Sequence, residues 1–199
     1  AMFLSGNYYI NGILPLFSMT LCLFSSTGYK LALEIKAKQQ IKSILGKYIS
    51  KSVMDMLLKD PSMLKLSGDK KTMTVLFSDI KGFTAYSENK TPDEVVAALN
   101  AYLDRMTRII LSLNGTVDKY IGDAIMAFWN APIAQPEHAR LAVSAALKMV
   151  EELEAMKISS EGCTFDMGVG INTGEMMVGN MGSQFIYDYT VIGDNVNLA

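Results

Sequence analysis

An apolar run that ends on an acid constrains this chain more than any other feature. Val75-Leu76-Phe77 lies between the charged stretch Ser67-Gly68-Asp69-Lys70-Lys71 and the turn-like Gly82-Phe83-Thr84. That is the pattern of a strand buried within a sheet. Asp79 then stands at the strand's C-terminal edge, where a carboxylate is held rigidly. Two roles fit it equally on this segment alone: the cap of a following helix, or a catalytic or metal-binding group.

Downstream, helix and strand periods alternate. Thr91-Pro92-Asp93-Glu94 carries a cap, a first-turn proline and acids at the positive helix end. The helix it opens runs through Val95, Leu99, Tyr102, Met106 and Ile109 to Leu113, and Asn114-Gly115 closes it. Two strands, TVDKYI and AIMAFWN, follow, joined by a tight Gly122-Asp123 turn. His138 to Met156 is helical, with Leu141, Ala145 and Met149 on one face. FDMGVGIN reads as a further strand, and EMMVGNMGSQFIYDYTVIG as a hairpin returning into an edge strand. Helices interleaved with a mostly antiparallel sheet make the class α+β or an α/β sandwich.

The front of the chain differs in composition. Half of the 199 residues are apolar and 19% are charged, too greasy for an ordinary soluble domain. From Ala1 to Tyr29 no side chain is charged, and Ile10 to Phe24 is mostly apolar, with Tyr8-Tyr9 and Tyr29 near either end. The expectation is a transmembrane helix over residues 1–30 with interfacial aromatics. Lys30, Lys36, Lys38, Lys42, Lys47 and Lys51, against Glu34 alone, place the following side in the cytoplasm and fit anionic headgroups. Residues 31–69 read as a helical stalk that dimerises. Ala37, Ile41, Ile44 and Tyr48 form a short seam, Gly46 interrupts it, and Ser50 opens a second helix over Val53 to Lys59 that Pro61 stops.

Other chemistries are excluded or discounted. A net charge of −2 leaves no basic footprint for nucleic acid. Two cysteines, Cys22 and Cys163, and the single His138 support neither a disulfide framework nor a zinc site. GVGINTG has Thr173 where a dinucleotide fingerprint needs its third glycine. The sequons at Asn89 and Asn114 are read as chance matches. His138 reads as structural.

The second acid of interest is Asp123. If its strand neighbours that of Asp79, the two carboxylates converge and suit hard divalent cations; the alternative is a plain turn residue. Taken together, VLFSDIKGFT, VDKYIGDAIMAFWNAP, GINTGEMMVGNMGS and DYTVIGDNVN resemble, in order and spacing, the catalytic domain of class III nucleotide cyclases, over about residues 70–199. The resemblance implies a ferredoxin-like, βαββαβ-type cyclase homology domain that works as a homodimer with shared active sites. Asp79 and Asp123 correspond to the metal-binding carboxylates, joined by the carbonyl of Ile80, for two Mg²⁺ or Mn²⁺ ions per site. Gly82, Phe83 and Thr84 correspond to the turn whose N–H groups cradle the triphosphate. Lys119 corresponds to the purine-reading lysine and favours ATP, since guanylyl cyclases carry an acid there. Thr190 is its companion, where many adenylyl cyclases have Asp; it marks a threonine subgroup, some members of which respond to bicarbonate. Asn197 corresponds to the asparagine that orients the ribose.

The activity implied is conversion of ATP to 3′,5′-cyclic AMP and pyrophosphate, in membrane signalling below an upstream sensor. The alternatives are a guanylyl or relaxed-specificity cyclase, because threonine can donate as well as accept, and a silent cyclase-like dimerisation module. The family also has an arginine four residues past Asn197. Ala199 comes first, so the chain is expected to be a fragment and nearly inactive by itself.

Overall fold

The structure is a computed structural model. It describes residues 2–4, 8–10, 13–46, 51–60, 68–158, 165–183 and 185–199. The chain divides into two compact units, residues 1–49 and 50–199.

In the first unit, β1 (Met2–Leu4) and β2 (Tyr8–Ile10) pair antiparallel, Met2 opposite Ile10. One helix follows, α1 (Ile13–Leu45). This corrects the expected transmembrane helix over residues 1–30. Part of that segment is strand, and among the described residues no helix is long and apolar enough to cross a membrane. The reason is dilution. The uncharged part of α1, Ile13 to Tyr29, carries Ser18, Thr20, Ser25, Ser26, Thr27 and Gly28, and Lys30 follows at once. The hydroxyls of Ser18, Thr20 and Thr27 donate back to the carbonyls of Pro15, Phe17 and Leu23. The helix ends where Gly46 was expected to interrupt it, and Gly46 N–H donates to Lys42 O at 2.9 Å. Tyr48, Ser50 and Pro61 lie outside the described residues.

The second unit opens with α2 (Lys51–Lys59). Next comes β3 (Gly68–Lys81), which extends well beyond the apolar run Val75-Leu76-Phe77 at both ends. A short α3 (Phe83–Glu88) and α4 (Pro92–Ser112) follow, then β4 (Thr116–Ile121), β5 (Ala124–Trp129) and α5 (His138–Ile158). β6 (Asp166–Gly182), β7 (Tyr187–Ile192) and the single turn α6 (Asp194–Asn197) complete the described elements. All pairings are antiparallel, in the order β4-β5-β3-β6-β7. FDMGVGIN and EMMVGNMG, expected as separate segments, form the one strand β6. Its ladder with β3 runs unbroken from Gly68↔Gly179 to Lys81↔Asp166, and Thr173 Oγ1 meets Thr74 Oγ1 at 2.7 Å across it.

The start of α4 is as its sequence dictates. Thr91 Oγ1 accepts from Glu94 N–H, and Glu94 Oε2 accepts from Thr91 N–H at 2.9 Å, a complete capping box ahead of Pro92. β3 is buried on both faces because its alternate residues feed two cores. Leu76 and Ile80 join Ile125, Ala127 and Trp129 under α4 (Tyr102, Met106, Ile110) and α5 (Ala142, Ala145, Met149, Leu153, Met156). Met73 and Val75 join Met126 and Phe128 on the opposite face, where β7 and α6 return with Val191 and Val196. His138 is structural, with Nδ1 2.7 Å from buried Thr74 Oγ1.

Gly115 sits against the first core. A Cβ there would lie 2.6 Å from Ile110 Cγ2 and 2.7 Å from Trp129 Cζ2, and both are fully buried. Gly115→Ala is therefore expected to destabilise the domain by about 1–3 kcal/mol, the usual cost of overpacking. Urea denaturation checks this; an unchanged midpoint would contradict it.

Candidate active site

Antiparallel pairing places β5 beside β3, so the β4–β5 turn comes alongside the C-terminal end of β3. Gly122 makes that turn with φ 66°, a left-handed conformation that glycine adopts freely. Asp123 is thereby brought to Asp79: its Oδ2 accepts a hydrogen bond from Ile80 N–H at 3.2 Å. Desolvation first, and then the neighbouring Asp123 carboxylate, hold the Asp79 pKa above its usual value, against the Ile80 amide, which lowers it. Asp79 is not a helix cap. α3 is capped by Gly82, at φ 73° and ψ 18°, with no side-chain hydrogen bond to its N–H groups.

Asp79 and Asp123, with the Ile80 N–H bonded to the latter, bring carboxylate oxygens together, the donor type that hard cations take. Among the described residues no group of three or more His, Cys, Asp or Glu side chains gathers, so backbone, substrate or water oxygens would complete the coordination. The Gly82-Phe83-Thr84 turn beside this pair is held by aromatic packing. The Phe83 ring lies 6.1 Å from that of Phe165 and 6.3 Å from that of Tyr86. Helix-start N–H groups left without side-chain partners suit an anion.

Lys119, Thr190 and Asn197 come together elsewhere. They line one cavity of about 480 Å³ with Phe77, Met126, Val191 and Val196, on the sheet face opposite α4 and α5. The lining includes none of Asp79, Asp123, Gly82, Phe83 or Thr84. The predicted site residues thus form two separate groups within one chain.

Sequence reasoning missed Asp118. Strict alternation along β4 would put it on the face away from Lys119, but the β4–β5 register shifts between Val117 and Lys119. The extra residue of such a bulge redirects its side chain. The Asp118 side chain is 0% exposed, and its Oδ2 accepts from the Thr190 hydroxyl at 2.5 Å. Lys119 Nζ lies 3.5 Å from Asp118 Oδ1 and 3.3 Å from Asp188 Oδ2. Burial pushes the Asp118 pKa up, while the Thr190 hydroxyl, the Lys119 ammonium and the Val191 amide oppose the rise. An acid inside a strand pattern was the only available signal, since nothing in the sequence announces the bulge.

An antiparallel sheet with the long helices α4 and α5 on one face, an acidic pair at a strand end and a lysine-lined cleft fit a nucleotide-cyclase catalytic domain. Residues 66–199 match the family described as adenylate and guanylate cyclase catalytic domain, and the chain belongs to it. Adenylate cyclase 1 of Rhizobium meliloti (strain 1021) is 38% identical over 130 residues, 64% of this chain and 20% of that protein. The crystal structure of the adenylyl cyclase CyaB from P. aeruginosa superposes with a TM-score of 0.64 at 38% identity, over 67% of this chain and 71% of that one. The guanylyl cyclase Cya2 gives 0.63 at 40% identity, over 67% and 69%. The chain thus spans about a fifth of the Rhizobium protein's length. Cyclase domains of this family bind nucleotide substrates, work as dimers and generally use divalent metal ions.

The electrostatics of the acidic pair can be tested without turnover. The folded-state pKa of Asp79 is raised, so the fold holds that proton more tightly than the unfolded chain does. Ionisation then costs stability as pH rises through the carboxylate range, and the cost persists at neutral pH. Asp123→Asn removes the repulsion. It is expected to raise the melting temperature at pH 7 in metal-free buffer, with the gain lost as pH falls below the ordinary carboxylate value. Calorimetry across pH checks this; a gain that does not vary with pH would contradict it.

Proposed function

We propose that this chain is the catalytic region of an adenylyl cyclase, converting ATP to 3′,5′-cyclic AMP and pyrophosphate at sites shared between two copies. One observation carries the reading: Lys119 and Thr190, far apart in sequence, line a single cleft together with Asn197. Lys119 there donates to adenine N1, an acceptor in ATP and a protonated donor in GTP. Thr190 accepts from the 6-amino group, and Asn197 orients the ribose. The partner copy supplies the acidic pair and the phosphate turn, which fits their absence from the cleft lining within one chain. The sheet order β4-β5-β3-β6 supports the ferredoxin-like reading of the fold.

The reaction is in-line attack of the ribose 3′-oxygen on the α-phosphorus. The new O–P bond forms as the bond to the pyrophosphate oxygen breaks, and the 3′-hydroxyl proton passes to solvent. Asp79, Asp123 and the Ile80 carbonyl would hold Mg²⁺ or Mn²⁺, which when bound favours the ionised 3′-oxygen and neutralises phosphate charge. N–H groups of the Gly82–Thr84 turn hold the triphosphate still. Orientation and preorganised charge supply most of the barrier reduction in such a displacement.

A relaxed-specificity reading has one observation in its favour, the 40% identity to a guanylyl cyclase, and Lys119 opposes it. The proposal extends to α1 as a coupling helix below an upstream sensor. At about 1.5 Å per residue its 33 residues run about 50 Å. A location at the cytoplasmic side of a cell membrane belongs to the same proposal and rests on the lysines between residues 30 and 51.

Product analysis of the full-length protein with ATP or GTP and Mg²⁺ or Mn²⁺ tests the reading. Cyclic AMP is expected from ATP. Asp79→Ala and Asp123→Ala should each lower its formation by about a hundredfold or more. Lys119→Glu, which sets an acceptor against adenine N1, should lower kcat/KM for ATP by about a hundredfold. No product from either nucleotide, with a folded dimer confirmed, would assign a scaffold role instead.

A further inference from the structure

Threonine is an ambiguous reader. Its hydroxyl has one O–H to donate and two lone pairs to accept with, so a free Thr190 could pair with the 6-amino group of adenine or with O6 of guanine. The surroundings of Thr190 remove that choice. Thr190 is 8% exposed, and its O–H donates to Asp118 Oδ2 at 2.5 Å. The Asp118 side chain is fully enclosed and does not line the cleft, whereas Thr190 does.

The bulge in β4 makes this possible by letting two consecutive residues reach β7. Asp118 meets Thr190, and Lys119 meets Asp188, two positions earlier on the same face of β7. Lys119 also lies 3.5 Å from Asp118 Oδ1, so one buried carboxylate touches both groups that line the base pocket. We propose that Asp118 is a positioning residue for purine selection: by holding the hydroxyl proton of Thr190, it leaves only oxygen lone pairs facing the cleft, which match an exocyclic amine and reject a carbonyl. This rests on the adenylyl cyclase reading above.

With Asp118 in place, Lys119 presents only donors and Thr190 presents only an acceptor. Adenine complements both. Guanine would set its N1–H against the ammonium and O6 against the threonine oxygen, leaving buried polar groups unpaired on both sides, the costliest kind of mismatch. An amide at position 118 could present either its oxygen or its NH₂ to Thr190, and the hydroxyl would then turn to suit either base.

The experiment compares kcat/KM for ATP and GTP in the full-length wild-type protein and in Asp118→Asn, Asp118→Ser and Thr190→Ser. The two Asp118 variants differ in size, so one that fails to fold leaves the other to report. An ATP-preferring wild type is expected. In Asp118→Asn or Asp118→Ser the ATP-to-GTP ratio should fall by about tenfold or more, with GTP use rising in absolute terms. Thr190→Ser, which keeps the hydroxyl, should retain the wild-type ratio. A purely structural role would lower both nucleotides in proportion. An ATP-preferring wild type whose ratio survives in the folded Asp118 variants overturns the role of Asp118 alone. A wild type that prefers GTP, or cyclises neither nucleotide, overturns the adenylyl reading and this inference with it.

Discussion

Burial of one strand on both faces is the constraint on which the catalytic unit depends. β3 sends Leu76 and Ile80 into the core beneath α4 and α5, and Met73 and Val75 into the core that β7 and α6 cover. A strand so enclosed must pair along both edges, because a buried backbone N–H or C=O without a partner is costly. β5 and β6 satisfy it, the latter over the whole length of β3. The strand therefore cannot slip: a one-residue shift would exchange the two cores. Asp79 inherits that rigidity at the strand's end, and Asp123 inherits it through the tight turn that leads into β5.

The same constraint explains what the sequence disclosed. Val75-Leu76-Phe77 shows its burial as a continuous apolar run, and the Thr91 to Glu94 cap and the Gly122-Asp123 turn are local chemistry that a short window contains. Each sits where its residues imply. Less visible were features set by distant partners. The continuity of β6 through Thr173-Gly174 depends on a ladder with β3, roughly a hundred residues earlier in the chain. The bulge at Asp118 depends on how β4 meets β5. At the N-terminal end the error was of another kind. Absence of charge is not apolarity: the hydroxyls of Ser18, Thr20 and Thr27 satisfy themselves against their own helix backbone and add little hydrophobic drive.

The two groups of site residues use different physical supports. Asp79, Asp123 and the Gly82–Thr84 turn sit at the ends of strands and at a helix start, where backbone groups converge on charge. Lys119 and Thr190 sit on β4 and β7, the two edges of the sheet order, and meet because β7 returns over the face that carries Met126 and Phe128. The Phe128 and Tyr189 rings, 6.2 Å apart, mark that closure. Under the proposed function, base reading would be tied to the packing of the second core, and phosphate and metal chemistry to the end of β3. A site made from one group of each copy would form only when both copies are in place.

Charge balance around the cleft follows from that arrangement. Lys119 lies within 3.5 Å of Asp118 and Asp188, and the two acids differ in kind. Asp188 is largely exposed, so solvent screens its attraction and the pair contributes little to stability. Asp118 is enclosed, and an enclosed carboxylate tolerates its charge only while hydrogen-bonded and accompanied by an opposite charge. Lys119 and Thr190 meet both conditions at once. On the proposed reading, the lysine would be both a donor to the base and the counter-ion of the acid that fixes its companion. Removing its charge would leave Asp118 driven toward protonation, and a protonated Asp118 could donate to Thr190 instead of accepting from it. Lys119 and Thr190 are coupled through this buried carboxylate, and if they read the base as proposed, a change at one would alter what the other presents.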